Sequence, residues 1–325
     1  MTQPASPNGT KHVVLGAGPA GRATAAYLHQ QLGHRVMLAS RSGAGPAIEG
    51  VERVSVDASD AAALTELVEG AEAMYNCMNP SSYTVWASQW PPLHEALMHT
   101  AKATGAVLVT LSNLYMYGPL GSRPAITPDS PENPQDLKGS LRGQMDRETL
   151  QAHADGTLRA VVVRASDYIG PEVGANGHAT RNIPALAAGR RAWVVGSADQ
   201  PHSWTYINDV AATLATVANR PDTHGRVWFA PTNPPVTQRE LAVASTQVLD
   251  APSPKISEMP RGVMKALGFI SPMIRELMTI SYQFTDRWVI DSSATTEALG
   301  LVPTDWDTVV TRSAHGNTKD HLATL

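Results

Sequence analysis

The stretch that most constrains this chain is Val13-Val14-Leu15-Gly16-Ala17-Gly18-Pro19-Ala20-Gly21-Arg22-Ala23-Thr24-Ala25-Ala26-Tyr27-Leu28. The apolar run from His12 to Leu15 reads as a buried parallel strand, and the Ala-rich run after the glycines has helical spacing. A strand, G-x-G-x-x-G and a helix, in that order, are the context in which this motif carries meaning. Gly16 permits the tight turn, Gly18 the close approach of a pyrophosphate, and Gly21 close helix–strand packing. Pro19 suits the first helical turn, where its missing N–H would be unbonded anyway. The positive helix end and its free N–H groups would then face an anion. Gly16, Gly18, Pro19, Ala20 and Gly21 are therefore the candidate pyrophosphate-binding residues. The alternative is a glycine turn without a ligand, and the flanking elements favour dinucleotide binding.

The next strand, Arg35 to Ala39, ends in Ser40-Arg41-Ser42-Gly43. An acid at this point bonds the ribose 2′-hydroxyl of NAD, whereas an arginine accommodates the 2′-phosphate of NADP. No acid stands between Arg35 and Ile48. Ser40 and Arg41 are thus candidate phosphate contacts, and NADP(H) is expected over NAD(H). Asp57, after a third strand from Glu52 to Val56, could accept from the adenine amino group or serve as a turn residue. The fourth strand, Ala73 to Cys77, leads into Met78-Asn79-Pro80, and Asn79 is a further candidate cofactor contact. Cys77 reads as packing rather than nucleophile.

A helix from Trp86 to Thr104, a strand from Ala106 to Leu111, a Pro-rich loop over Leu120 to Pro134 and a helix from Asp136 to Ala154 follow. Lys138, Arg142 and Asp146 recur at four-residue spacing on one face of that helix. A sixth strand, Leu158 to Arg164, ends in Ala165-Ser166-Asp167-Tyr168-Ile169-Gly170-Pro171. The alternation implies an α/β fold of Rossmann type, a doubly wound parallel sheet. Beyond it a small, mostly helical C-terminal substrate lobe is expected, interleaved with late strands. The expected division is a disordered tail over 1–11, a dinucleotide-binding domain over 12–171 and the substrate lobe over 172–325. Asn208-Asp209 reads as the start of a helix running through Ala218. His178 and His202 fall in loops of the lobe and read as solvated. Pro260 to Thr285 is a Met-rich amphipathic region broken at Ser271-Pro272. A membrane-surface helix is conceivable there, but packing over a pocket or in a subunit interface is expected.

These pieces resemble the extended and atypical short-chain dehydrogenase/reductase superfamily, in its NAD(P)-dependent epimerase/dehydratase-like branch. The resemblance runs from Lys11 to about Thr311. It rests on Gly16 to Gly21, Ser112-Asn113 with Met116-Tyr117-Gly118, Arg164 to Pro171, Trp204 to Ala211 and Leu299 to Thr304. It implies hydride transfer between the nicotinamide and a substrate carbon, with a Tyr moving the proton and a Lys lowering its pKa in a Y-x-x-x-K pair. This chain has no such pair. The Tyr position falls on Lys138, the Lys position on Arg142 and the orienting Ser position on Asn113. The site is therefore atypical. Arg142 could bond the ribose hydroxyls but cannot relay a proton, and Lys138 could act as an acid if its pKa were lowered. Tyr115 is the preferred replacement phenol. Tyr117, Asp167 and Tyr168 are expected to line the substrate pocket. Asn113, Tyr115, Lys138 and Arg142 form the candidate catalytic set.

The remaining features exclude rather than assign. A formal net charge of -4 and a pI of about 6.2 offer no basic nucleic-acid face. Cys77 is the only cysteine, which suits a cytoplasmic setting. No metal spacing and no G-x-S-x-G elbow occur. The expectation is an NADP(H)-dependent oxidoreductase, a reductase of a small carbonyl- or sugar-like compound. No membrane partner is expected, and a homodimer is left open. The alternatives are a non-catalytic NADP(H)-binding redox sensor, or an epimerase or dehydratase using transient hydride transfer.

Overall fold

A computed structural model describes residues 9–318, so most of the expected N-terminal tail lies outside the described residues. The strands are β1 (Lys11–Leu15), β2 (Arg35–Ser40), β3 (Val51–Ser55), β4 (Ala73–Asn76), β5 (Val107–Ser112), β6 (Ala160–Arg164), β7 (Asp167–Ile169), β8 (Arg191–Val194), β9 (Trp204–Tyr206), β10 (Val227–Phe229) and β11 (Lys255–Glu258). The principal helices are α1 (Pro19–Gln30), α2 (Ala61–Val68), α3 (Trp86–Thr104), α4 (Leu137–Ala154), α5 (Ile183–Ala187) and α6 (Ile207–Ala218). After them come α7 (Gln238–Val248), α8 (Arg261–Ile270), α9 (Pro272–Thr279), α10 (Tyr282–Thr285), α11 (Ser293–Leu299) and α12 (Trp306–His315).

The chain divides into two compact units, each built from separate segments. The first comprises Met1–Asn113, Leu141–Arg164 and Val210–Trp228. Its frame is a seven-stranded sheet in the order β10-β6-β5-β4-β1-β2-β3. The pairings of β1 with β2 and β4, of β2 with β3, and of β5 with β4 and β6 are all parallel. This is the doubly wound Rossmann-type arrangement expected from the strand–helix alternation. Central strands are apolar on both faces because helices cover both. Val107 to Ser112 and Ala160 to Arg164 are accordingly buried along their whole length. Leu64 and Val68 of α2 and Ala96, Leu97 and Ala101 of α3 pack on Val13, Leu15, Met74 and Leu108. Asp60 caps α2 by accepting from the N–H groups of Ala62 and Ala63, as a short acid at that position should. Gly105, at φ 70°, ends α3 in the left-handed conformation that glycine adopts without a Cβ penalty.

The second unit comprises Leu114–Ser140, Ala165–Asp209 and Phe229–Leu325. Two small parallel pairs, β7 with β9 and β8 with β11, are embedded among helices. Asp167–Ile169, read from the sequence as the loop leaving the sixth strand, is itself a strand in register with Trp204–Tyr206. Ile169, Trp204, Tyr206, Leu241, Phe284, Val309 and Val310 form a core of this unit. A full capping box at Thr237 and Glu240 starts α7. The helix α6 begins at Ile207, so Asn208 and Asp209 lie inside its first turn. Asp209 also fastens Thr304, accepting from its N–H at 2.8 Å and its hydroxyl at 2.6 Å. Among the described residues no helix is long and apolar enough to cross a membrane.

His12, in β1, is fully buried, and its Nδ1 meets the Tyr75 hydroxyl at 3.0 Å. Its Nε2 has no hydrogen-bond partner among the described residues. Burial, with the neighbouring His34 imidazole, pushes the ring down to about 3. The unfolded chain therefore binds a proton that the folded chain refuses, so this contribution to stability is complete above the ordinary histidine value and is lost as pH falls toward 3. Unfolding measured in urea at pH 7 and pH 5 should show His12→Gln losing about 2 kcal/mol less than the wild type over that interval. Equal losses would show that His12 does not set the acid sensitivity.

Candidate functional site

In the first unit the carboxyl ends of β1, β2, β3, β4 and β5 share one edge of the sheet, because the strands run parallel. The structure brings Gly16, Ser40, Arg41, Asp57, Asn79 and Asn113 to this edge. Gly16 sits at φ 101°, and a Cβ there would lie 2.8 Å from the Cys77 carbonyl oxygen. A Cβ on Gly21 would lie 1.8 Å from the Gly16 carbonyl oxygen. Both glycines are thus demanded by the protein's own packing. Gly18 is different. Its φ of -74° suits any residue, and a Cβ there would meet nothing within 4 Å.

Gly18 is the N-cap of α1 and offers no side-chain cap, Pro19 follows, and no acid stands in the first turn. The first-turn N–H groups are left for an outside acceptor. The open space over Gly18 and the uncapped positive helix end fit the pyrophosphate of a dinucleotide. At the end of β2, Ser40 Oγ accepts from the Gly43 N–H at 3.1 Å. The Arg41 carbonyl accepts from Ser55 Oγ at 2.8 Å, while no hydrogen bond engages the Arg41 guanidinium among the described residues. Asp57 accepts from the N–H and hydroxyl of Ser59, at 3.0 and 2.7 Å. Those bonds, with the nearby Arg41 charge, hold its carboxyl below the usual range. Cys77 lies just past β4, its Sγ 3.9 Å from Thr24 Oγ1, and burial pushes the thiol up to about 12. A thiol so protonated is a packing group, not a nucleophile.

Behind this edge a buried charge network spans β5, α4 and β6. Asp146 Oδ2 accepts from Ser112 Oγ at 2.8 Å and from Arg164 Nε and Nη2, each at 2.9 Å. Arg142 is also buried. Its Nη2 donates to the Leu111 carbonyl at 2.8 Å, and its guanidinium lies 4.4 Å from the centre of the Trp90 ring. Lys138, one turn earlier on α4, turns elsewhere. Its ammonium meets Asp136 and Glu276 at 2.7 Å and the Thr279 hydroxyl at 2.8 Å. Equal spacing on one helix face therefore does not join these two groups.

In the second unit Tyr115 and Tyr117 belong to one 3-10 turn. Tyr117 is fully buried, donates to the Pro128 carbonyl at 3.0 Å and meets Phe229 edge-on at 5.9 Å. Tyr115 stays half-buried, and the start of α4 presses on its carbonyl, because a Cβ on Gly139 would lie 2.6 Å from it. Tyr168 is likewise half-buried, in β7.

The structure corrects the reading of the two loop histidines. His202 is 2% exposed, and both its nitrogens meet acceptors, Nδ1 the Gln283 carbonyl at 3.0 Å and Nε2 Asp167 Oδ2 at 2.9 Å. The Gln283 carbonyl and the Asp167 carboxylate therefore hold the ring from its two nitrogens. His178 Nε2 stands 3.9 Å from Asp167 Oδ1, and its Nδ1 accepts from Arg181 Nη2 at 2.9 Å. Burial pushes His178 down to about 4 against the pull of Asp167. Burial alone would raise the Asp167 carboxyl. The His202 bond and the charges of His178, His202 and Arg181 outweigh it and hold the carboxyl low. Phe284 packs on both rings, 4.0 Å from His178 and 5.0 Å from His202. The three polar groups come from separate stretches of chain, so no local motif could have announced them. Among the described residues no group of His, Cys, Asp and Glu has the arrangement of a metal site.

The profile of the NAD dependent epimerase/dehydratase family matches residues 12–229, and the chain belongs to that family. Its fold is similar to that of dTDP-glucose 4,6-dehydratase from Bacillus anthracis in complex with NAD, with a TM-score of 0.78 and 14% identity over 94% of this chain and 96% of that one. UDP-glucose 4-epimerase from Thermotoga maritima with UDP-glucose gives a TM-score of 0.75 and 12% identity over 97% and 99% of the two chains. The Thermus thermophilus UDP-glucose 4-epimerase complex with NAD gives 0.76 and 15% over 97% and 99%. No curated protein matches.

The two kinds of glycine can be separated experimentally. Gly18→Val should leave thermal stability within about 0.5 kcal/mol of wild type and abolish dinucleotide binding measured by calorimetry. Gly21→Ala should instead destabilise by about 1–3 kcal/mol, since backbone must move to admit the Cβ. Unimpaired binding by Gly18→Val would remove the pyrophosphate from this turn.

Proposed function

We propose that the protein is a dinucleotide-dependent enzyme that acts by reversible hydride transfer on a sugar-like hydroxy or carbonyl compound, in the manner of an epimerase or dehydratase. The observation that carries this reading is Gly18, a glycine that neither its backbone angle nor its packing requires, at an uncapped helix end. Family membership supports the reaction type, and full-length likeness to enzymes solved with UDP-glucose and NAD supports the substrate class. The open Arg41 guanidinium, with no acid near the end of β2, favours NADP(H). A cytoplasmic setting goes with the single cysteine.

A bound nicotinamide nucleotide supplies a hydride donor or acceptor. The chain's own residues do the rest. First-turn N–H groups of α1 hold the pyrophosphate, and Arg41 with Ser40 holds the ribose phosphate. Tyr115 exchanges the substrate proton, because it is half-buried where Tyr117 is fully enclosed. Arg142 and Lys138 act as positioning residues, engaged respectively by Leu111 with Trp90 and by Asp136 with Glu276. Asp167 and Tyr168 are substrate contacts. A net reductase is the second reading, favoured because the NADP-type end of β2 differs from the NAD carried by the dehydratase and epimerase structures.

Titration with NADPH and NADH, followed by nucleotide fluorescence, should show tighter NADPH binding. Arg41→Ala should weaken NADPH by about tenfold or more, the worth of a charge-assisted bond, and leave NADH nearly unchanged. Binding of neither nucleotide would overturn the reading. In a screen of sugar nucleotides and carbonyl compounds, an isomerised or dehydrated product without net nicotinamide change marks the first reading, and stoichiometric NADPH oxidation the second. Whichever activity appears, Tyr115→Phe should lower kcat by about 100- to 10,000-fold with nucleotide affinity intact. Tyr117→Phe should chiefly cost stability, and full turnover by Tyr115→Phe would remove that assignment.

A further inference from the structure

The second unit carries an apolar projection that its own core does not use. The helices α8 and α9 form a hairpin, with Ser271 between them accepting from the Ile274 N–H to start α9 at Pro272. Phe269 and Ile270, next to that turn, are 88% and 79% exposed, and Met273 across it and Val263 one face along are also exposed. No residue of α9 is buried. Within the Met-rich region from Pro260 to Thr285, Met264, Ile280 and Phe284 are buried, whereas the tip of the hairpin is not. The hairpin is nevertheless held firmly. Glu276 meets Lys138 at 2.7 Å, and Thr279 donates to Asp136 at 2.5 Å.

That attachment also decides the hairpin's charge. Glu276 is the only acid between residues 261 and 279, and it pairs with Lys138, which it shares with Asp136. Lys265 and Arg275 remain exposed beside the apolar tip, in a chain whose formal net charge is -4. Exposed apolar side chains at a turn, with the exposed cations Lys265 and Arg275 on the same hairpin, are the pattern of an element that enters the headgroup region of a bilayer. Anionic lipid would complement Lys265 and Arg275. A second copy of the chain fits less well. A stable interface needs about 800 Å² per partner, and even a fully exposed aromatic side chain supplies only about 150–250 Å². An interface between two such tips would also bring like charges together.

We propose that the α8–α9 hairpin docks reversibly on an anionic lipid bilayer, inserting Phe269, Ile270 and Met273 to headgroup depth while Lys265 and Arg275 meet lipid charge. This revises the sequence expectation of no membrane partner and does not depend on the reaction proposed above. Three apolar side chains with two cations give weak, salt-sensitive binding rather than permanent anchoring.

The test is co-sedimentation of the full chain with phosphatidylcholine vesicles, with and without phosphatidylglycerol, at low and high salt. The protein should pellet with the phosphatidylglycerol-containing vesicles at low salt and remain in solution with phosphatidylcholine alone. The double substitution Phe269→Ser, Ile270→Ser should reduce the bound fraction about tenfold or more, with an unchanged circular dichroism melt. Lys265→Gln with Arg275→Gln should abolish the preference for phosphatidylglycerol. Failure of the wild type to pellet under any condition would overturn the proposal. So would a dimeric mass by light scattering that becomes monomeric in the Phe269→Ser, Ile270→Ser variant, because the tip would then be a contact between copies.

Discussion

The closest constraint in the first unit is the crossing of α1 over the turn after β1. Backbone touches backbone there, and a single Cβ on Gly21 would stand 1.8 Å from the Gly16 carbonyl. The Gly16 N–H donates to Ala39 at 2.8 Å, and the Cys77 N–H to Leu15 at 2.9 Å, so the turn is tied to β2 and to the end of β4. This fixes where α1 begins and which way its positive end points. Gly18, in the same turn, is exposed, and a Cβ there would meet nothing within 4 Å. The proposed anion site rests on two packing requirements and one residue that packing leaves open.

Charge burial organises the rest of the molecule differently in each unit. In the first, Asp146 neutralises Arg164 and accepts from Ser112, so β5, α4 and β6 are joined by polar bonds inside an otherwise apolar sheet. Removing one partner of such a pair strands a charge and costs about 3–5 kcal/mol, whereas the intact pair contributes little net stability. Its value is geometric, because it sets the rotation of α4. In the second unit, Asp167 plays the corresponding part between two histidines. One carboxylate fixes the His202 ring, whose other nitrogen meets the Gln283 carbonyl.

The glycine motif, the strand order and the acid-free end of β2 were legible because each depends on residues adjacent in the chain or on a period of two or 3.6. The break at Ser271-Pro272 was legible for the same reason. The pairing of Asp167 with His202 was not, since proximity between distant segments leaves no periodic trace. Nor could spacing reveal that Lys138 and Arg142, neighbours on one helix face, turn to different partners. The same gap explains Asp209, which reads as a helix start and also fastens Thr304.

Local sequence alone thus determined the parallel Rossmann-type sheet, the position of the glycine turn and the absence of a Y-x-x-x-K pair, because steric and hydrogen-bonding rules act over a few residues. Only the tertiary structure decided which charges are spent on one another, that both loop histidines converge on one carboxylate, and that the α8–α9 tip stays uncovered. Those outcomes depend on which surfaces meet, and a linear chain does not record that.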